Sequence, residues 1–334
     1  MKRPEPSRES PRIRRRAGLA LSVLLGAVVL VSGCVGMNPD PPDLTVSGDM
    51  MGTLRKTRSR HEDVVFDIAR KNDLGILEVL AANPGLKVWL PGEGTRILLP
   101  SAHIIPRAPH EGVLINVAEL RLYYFKSGNL LMTAPIGIGR EGYTTPLGVT
   151  KVVKKQKDPV WYLTASERKD HPELPASMPP GPDNPLGAYA LRLGWPAYLI
   201  HGTNTPDGVG QWTSRGCIRM YPEDIEQLYT MVPVGTAVRV VDQPVKLGTR
   251  EGELFLQVHP SPKQFDELSL DRLPAKIATD KDEAWVKANT KTRTAELDWT
   301  TIRKALSTRD GVAVQITNPQ THPVSLDEAR GLFF

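Results

Sequence analysis

A chain of 334 residues, 40% of them apolar, is long enough for two domains or for one domain with appendages, and can bury a core. Its net charge of +5 lies in residues 1–33, which hold seven basic and two acidic residues and leave 35 of each sign beyond them. That balance gives nucleic-acid binding no electrostatic support, and the scattered His61, His103, His110, His171, His259 and His322 show no metal-ligand spacing, which argues against a metallopeptidase.

Residues 1–33 have the parts of an export signal: a basic start, an apolar run from Ala17 to Val31, and small residues before Cys34. The run is shorter than the roughly 20 residues a membrane-spanning helix needs. Val31-Ser32-Gly33-Cys34 resembles a bacterial lipobox, which implies lipidation of Cys34 after cleavage; the alternative is a plain secretory signal or an uncleaved anchor. Val35 in place of Asp then implies the outer membrane, so the expected location is the cell envelope or periplasm, with the membrane reached through the lipid anchor. Residues 34–59, rich in Pro, Asp and Gly at their start, read as a tether.

Val65, Ile68 and Ala69, then Leu77, Leu80 and Ala81, repeat at helical spacing and precede a strand from Thr95 to Leu99. Residues 60–102 are therefore expected to form a small α/β unit. Its Asn83-Pro84 step and the closing GTRILLP resemble a LysM module, which implies contact with glycan chains; the alternative is an N-terminal packing unit.

Beyond a Pro-rich connector, GVLINVAELRLYYF alternates as a β-hairpin, and Leu130 to Ile136 reads as the next strand. Frequent short strands broken by Gly and Pro predict a mainly β core, a sandwich or a barrel. Proline density from Pro159 to Gly187 predicts a long structured loop, with Trp161 and Tyr162 either lining a cleft or packing on the sheet. Strands over Ala188–Leu193 and Tyr198–Ile200 place His201 at a strand end. Pro222, Glu223 and Asp224 open a helix buried through Ile225, Leu228 and Tyr229, and Thr236–Val241 closes the region as a strand. The tail, residues 250–334, reads as a small α/β appendage with a strand at GELFLQVHP, helices over Asp280–Ala288 and Thr300–Leu306, and a last strand at VAVQIT.

Cys34 and Cys217 are the two cysteines of the chain, and lipid on the first leaves the second a free thiol in an exported protein. His201 stands sixteen residues upstream of Cys217. On spacing alone Cys217 is either a nucleophile activated by His201 or a small buried hydrophobe.

HGT, GVG and SRGCIRM, together with PIGIGREGYTTPLG and GPDNPLGAYALRL upstream and GTAVRVVDQPVKLG downstream, resemble the signature of bacterial L,D-transpeptidases with a YkuD-type catalytic domain. The resemblance runs over roughly residues 60–260 and places the catalytic domain at 111–243. It implies a YkuD-like β-sandwich, no cofactor, and peptidoglycan stem peptides and glycan as partners. Cys217 is then the nucleophile, attacking the diamino acid carbonyl of a stem tetrapeptide and releasing D-alanine, and His201 the general base and acid. Backbone N–H groups of Gly216 and Cys217 are the expected oxyanion donors, and Ser214 supports the histidine or the substrate. Many family members have His where this chain has Arg215. Arg215 and Arg219 either recognise stem carboxylates or form structural ion pairs.

The acyl acceptor is an amine, either a diamino acid giving a 3-3 cross-link or the lysine of an outer-membrane lipoprotein. Alternatives are hydrolysis, as a carboxypeptidase or protein-detaching enzyme, and a non-catalytic wall-binding lipoprotein. An exported thiolate also implies a thiol reductase as partner.

Overall fold

The computed structural model describes residues 42–317 apart from 164–167, 170–171, 174, 271, 275–278 and 291–296. Residues 1–33, expected to be an export signal, and Cys34, His171 and His322 lie outside the described residues. No helix among the described residues is long and apolar enough to cross a membrane.

The described chain begins with three short strands, β1 (Val46–Ser47), β2 (Met50–Met51) and β3 (Arg55–Arg58). This corrects the tether expected over 34–59: Met50 and Met51 are each 1% exposed, so the chain is fixed in the fold from β1 onward. Helices α1 (Val65–Lys71) and α2 (Ile76–Ala82) and strand β4 (Arg96–Leu99) follow, and β4 pairs antiparallel with β3. Val65, Ile68 and Ala69 are buried together with Leu77, Leu80 and Ala81, as their spacing predicts. The Glu78 side chain accepts the Gly75 N–H at 3.1 Å and starts α2. At its end Asn83 accepts from the Leu98 N–H and donates to the Leu98 carbonyl, both at 2.8 Å, so one side chain pairs with β4 as a strand would. The small α/β unit is present, with β3 as an additional strand.

Strand β5 (His103–Ile104) pairs with β2 and leads to β6 (Gly112–Asn116), β7 (Arg121–Lys126) and β8 (Asn129–Pro135), an antiparallel meander. Then come β9 (Ile138–Gly139), β10 (Gly148–Lys157), β11 (Trp161–Tyr162), β12 (Ser177–Met178), β13 (Tyr189–Leu193) and β14 (Leu199–His201). Strands β15 (Trp212–Ser214) and β16 (Ile218–Arg219), helix α3 (Pro222–Met231) and strand β17 (Ala237–Val241) complete the region.

Eight of these strands form one mixed sheet in the order β16-β14-β13-β10-β17-β6-β7-β8. The sheet curls until its ends meet: Gly137, just past β8, exchanges backbone hydrogen bonds of 2.9 and 2.8 Å with Arg219 of β16. One apolar cluster draws on both halves, with Ile115 and Leu122 in the same core as Leu191, Ile200 and Ile218. Ile225 and Leu228 of α3 belong to it, as the helix pattern predicts. This is the mainly β fold expected, realised as a single curled sheet.

The C-terminal part holds β18 (Val245–Arg250), β19 (Glu253–Val258), α4 (Pro262–Ser269), α5 (Asp280–Asn289), α6 (Trp299–Thr308) and β20 (Val314–Gln315). Because β18 pairs with β19 along its whole length, this part starts at residue 245 rather than 250. Helix α4 is absent from the sequence expectations although Ser261 and Gln264 cap it reciprocally.

A buried polar junction ties the three parts together. Arg121 of β7, 1% exposed, donates to Glu78 of α2 and to the Asp73 carbonyl, each at 2.9 Å. Lys246 of β18 pairs with Glu119 and donates to the Ile104 carbonyl at 2.6 Å. Charges so deeply buried persist in a fold only when paired.

Candidate active site

Cys217 lies between β15 and β16 in a turn that the sequence ties to itself. The Ser214 hydroxyl, 1% exposed, donates to the Cys217 carbonyl at 2.6 Å and accepts the Gly216 N–H at 3.1 Å. Gly216 has φ +104°, and a Cβ there would stand 2.8 Å from Tyr198 Cε1, so a side chain meets both backbone strain and a ring. Thr145 clamps the turn from outside, donating to the Gly216 carbonyl at 2.9 Å while accepting the Gly139 N–H at 3.2 Å. Gly216 is therefore a shape-determining residue. Its N–H, expected as an oxyanion donor, is engaged by Ser214; the Cys217 N–H keeps that expectation.

The parallel pairing of β14 with β16 sets Ile200 beside Ile218 and His201 beside Arg219. Both isoleucines are fully buried in the core. Because successive side chains alternate in direction, His201, Arg219 and Cys217 point to the opposite face, where all three line one cavity. The half-buried Cys217 thiol donates to the Ala197 carbonyl at 3.5 Å. Ala197 is itself held at φ +67°, an unusual conformation for a residue with a Cβ.

His201 is 4% exposed, and its Nδ1 lies 2.6 Å from the Gly202 carbonyl. A carbonyl only accepts, so this contact assigns the proton to Nδ1 and leaves Nε2 as the basic atom. Burial first, and then the Arg219 charge, lower the imidazole pKa to about 4, against the opposing pull of the Gly202 hydrogen bond. The imidazole is therefore neutral and oriented by a backbone carbonyl. Arg219 donates to Thr213 Oγ1 at 3.4 Å and carries its charge within electrostatic reach of both His201 and Cys217. A cation so placed favours the thiolate.

Arg215 projects elsewhere. Its guanidinium lies 4.9 Å from the Tyr143 ring centre and donates to the Tyr143 hydroxyl at 3.2 Å; Arg140 covers the same ring at 5.2 Å. The cavity has a volume of about 800 Å³, and among the described residues its walls include Arg140, Arg192, Arg215 and Arg219 but no acidic residue. Trp161, Tyr162 and Leu163 form part of the wall, which resolves the proline-rich loop as a cleft margin. Asn184, 1% exposed, holds that loop in shape by donating to the Pro159 carbonyl at 2.8 Å and accepting the Leu186 N–H at 2.9 Å.

The sequence reading brings Cys217, His201, Ser214, Gly216 and both motif arginines to this site, and the fold places all of them at or around one cavity. It omits Tyr143, Thr145, Arg192 and Ala197, whose positions depend on turns and register outside the motif. Among the described residues no group of His, Cys, Asp and Glu could hold a metal ion.

A family model of the L,D-transpeptidase catalytic domain, YkuD, matches residues 110–240, a range that includes His201 and Cys217. The chain is 39% identical over 251 residues to the probable L,D-transpeptidase ErfK/SrfK of Salmonella typhimurium, covering 73% of this chain and 79% of that one. It is 36% identical over 273 residues to the probable L,D-transpeptidase YcfS of Escherichia coli, covering 78% and 82%. To the probable L,D-transpeptidase YbiS of Escherichia coli it is 43% identical over 198 residues, covering 57% and 64%.

Proposed function

The chain belongs to the L,D-transpeptidase family through its YkuD-type catalytic domain, and from that premise we propose that it cleaves and re-forms a peptide bond in peptidoglycan stem tetrapeptides with Cys217 as nucleophile. The observation that carries this reading is the shared face of Cys217 and His201 in a cavity lined by four arginines. Stem peptides are carboxylate-rich, and guanidinium groups match that charge and shape.

In the proposed reaction His201 Nε2 takes the thiol proton and Cys217 Sγ bonds to the diamino acid carbonyl. The Cys217 N–H and the nearby Arg219 charge stabilise the oxyanion. Collapse of the adduct breaks the C–N bond; D-alanine leaves with the proton from His201, and a thioester remains. An acceptor amine then attacks the thioester, gives a proton to His201, and releases the thiolate, which takes that proton back. The acceptor is a second diamino acid or the lysine of a lipoprotein; with water as acceptor the outcome is hydrolysis.

The same reading assigns residues 1–33 to an export signal, Cys34 to lipidation and residues 60–102 to a LysM-like glycan-binding unit, which places the enzyme in the cell envelope, anchored to the outer membrane. A thiol reductase is expected to keep Cys217 reduced; a Cys217 that stays reduced in cells lacking extracytoplasmic reductants contradicts that part.

Incubation with disaccharide tetrapeptides and mass spectrometry of the products tests the reading. Loss of D-alanine with formation of dimers supports transfer, and tripeptide monomers alone support hydrolysis. Tetrapeptide unchanged under reducing conditions refutes both and leaves a non-catalytic wall-binding protein.

A further inference from the structure

Among the described residues the outer face of the curled sheet is covered over one half and open over much of the other. Over β6 and β7, Leu114, Tyr123 and Phe125 are buried beneath Met51 and Ile105. Arg239 of β17 is the register neighbour of Leu114 and shares its face, yet from there across β10 to Arg192 of β13 the described residues leave the face open. Arg239 stands opposite Val149, and Ala237 opposite Lys151. A bulge between Val152 and Lys154 turns Val153 and Lys154 outward together, and Lys154 stands opposite Arg192. Leu147, Val149 and Val153 are 57%, 55% and 40% exposed.

The charge of this face is one-sided. Residues 144–157, 188–199 and 232–241, which supply it, contain no Asp or Glu. Among the described residues, Lys151, Lys154, Arg192 and Arg239 form no ion pair. In a chain whose charges balance beyond residue 33, this is a local concentration. It is also continuous with the cleft, because Arg192 and Gln156 belong both to this face and to the cavity wall.

We propose that the open face of β17, β10 and β13 is a docking surface for the polyanionic peptidoglycan strand, binding carboxylates of stem peptides next to the one held in the cleft. The proposal rests on the peptidoglycan reading above. Carboxylates repeated along a polymer complement several fixed cations, and the exposed Leu147, Val149 and Val153 offer apolar contact to sugar and alanyl groups between them. Continuity with the cleft favours the strand over a lipid surface, since the polymer that enters the cleft necessarily passes its rim. The face then favours polymeric substrate over a single disaccharide peptide without touching the chemistry.

The test compares the mature chain with its Lys151→Glu/Lys154→Glu variant, both in a Cys217→Ala background for binding. Co-sedimentation with purified sacculi at low ionic strength is expected to weaken about tenfold in the variant and to become less salt-dependent. The milder Lys151→Gln/Lys154→Gln variant, which carries no repulsive charge, should lose less, and sacculi whose carboxylates are amidated should bind both forms weakly. With Cys217 restored, kcat/KM on a soluble disaccharide tetrapeptide should stay within about twofold. Unchanged binding to sacculi overturns the proposal. So does an equal loss on the soluble substrate in a variant with normal thermal unfolding, or a charge-reversal loss that is larger on phosphatidylcholine vesicles containing phosphatidylglycerol than on sacculi. Failure of the peptidoglycan reading itself is separately visible, as no turnover of the soluble tetrapeptide by the unsubstituted chain.

Discussion

Two regions of this protein are built from the same residue types and use them in opposite ways. In the junction, Arg121 and Lys246 are neutralised by Glu78 and Glu119, and His103 and His259 each face one of those carboxylates at 3.6 Å. In the cleft, Arg140, Arg192, Arg215 and Arg219 face a cavity that no acidic residue lines among the described residues, and His201 is oriented by a backbone carbonyl. All three histidines are driven toward the neutral form, chiefly by burial. The difference teaches that burial and an altered pKa do not mark a catalytic histidine. What sets His201 apart is its place on the wall of the cavity that Cys217 also lines.

The sharpest way to break this comparison is to change one histidine in each region. His201→Gln should lower kcat/KM by about 10³-fold, the range of a lost general base, with little change in thermal unfolding. His259→Gln should act on unfolding and leave the kinetics nearly intact. Comparable kinetic losses in both would erase the distinction.

Removing a charge from the junction tests its structural half. Glu119→Ala strands the buried Lys246 and removes the acceptor for the Tyr123 hydroxyl and the Asn116 amide. A loss of about 3–5 kcal/mol in denaturant unfolding is expected. A loss below about 1 kcal/mol would show that the pair does not join the parts.

Gly216→Ala addresses the turn that carries the thiol. With φ at +104° and Tyr198 2.8 Å from the new Cβ, the turn must shift, and kcat/KM should fall about 10–100-fold while global unfolding changes little. An active, unshifted alanine variant would contradict the assigned shape.

The pH profile gives a smaller and more specific effect. In the proposed reaction the neutral imidazole is the base, and burial and Arg219 lower its pKa to about 4, so kcat/KM should hold through pH 6 and fall as pH drops through about 4. An acid limb centred near 6.5 would mean that His201 is neither as buried nor as close to Arg219 as described. Arg215→Ala, which removes a guanidinium stacked on Tyr143, should have the mildest consequence, a rise in KM of about 3–10-fold with kcat nearly unchanged.

Much of the site was legible in the sequence because its central residues sit in one short motif. The strand ending at His201 and the glycine before Cys217 were readable from local pattern. Tyr143, Thr145 and Arg192 were not, since they reach the site through a loop clamp and the pairing of β10 with β13, and long-range register leaves no local signature. Gly216 shows a subtler limit: the motif offers its N–H as an oxyanion donor, and the fold engages that N–H with the Ser214 hydroxyl. The buried Met50 and Met51 were hidden by the Pro- and Asp-rich composition before them, and β3 by its polar RKTR sequence, which has no apolar alternation.

In the proposed reaction Cys217 carries the acyl group. Brief incubation with a disaccharide tetrapeptide, acid quenching and intact-mass analysis should show the chain heavier by the substrate minus D-alanine, with the adduct on the peptide containing Cys217 and absent from Cys217→Ala. An adduct on another residue, or D-alanine released at the normal rate by Cys217→Ala, would contradict it.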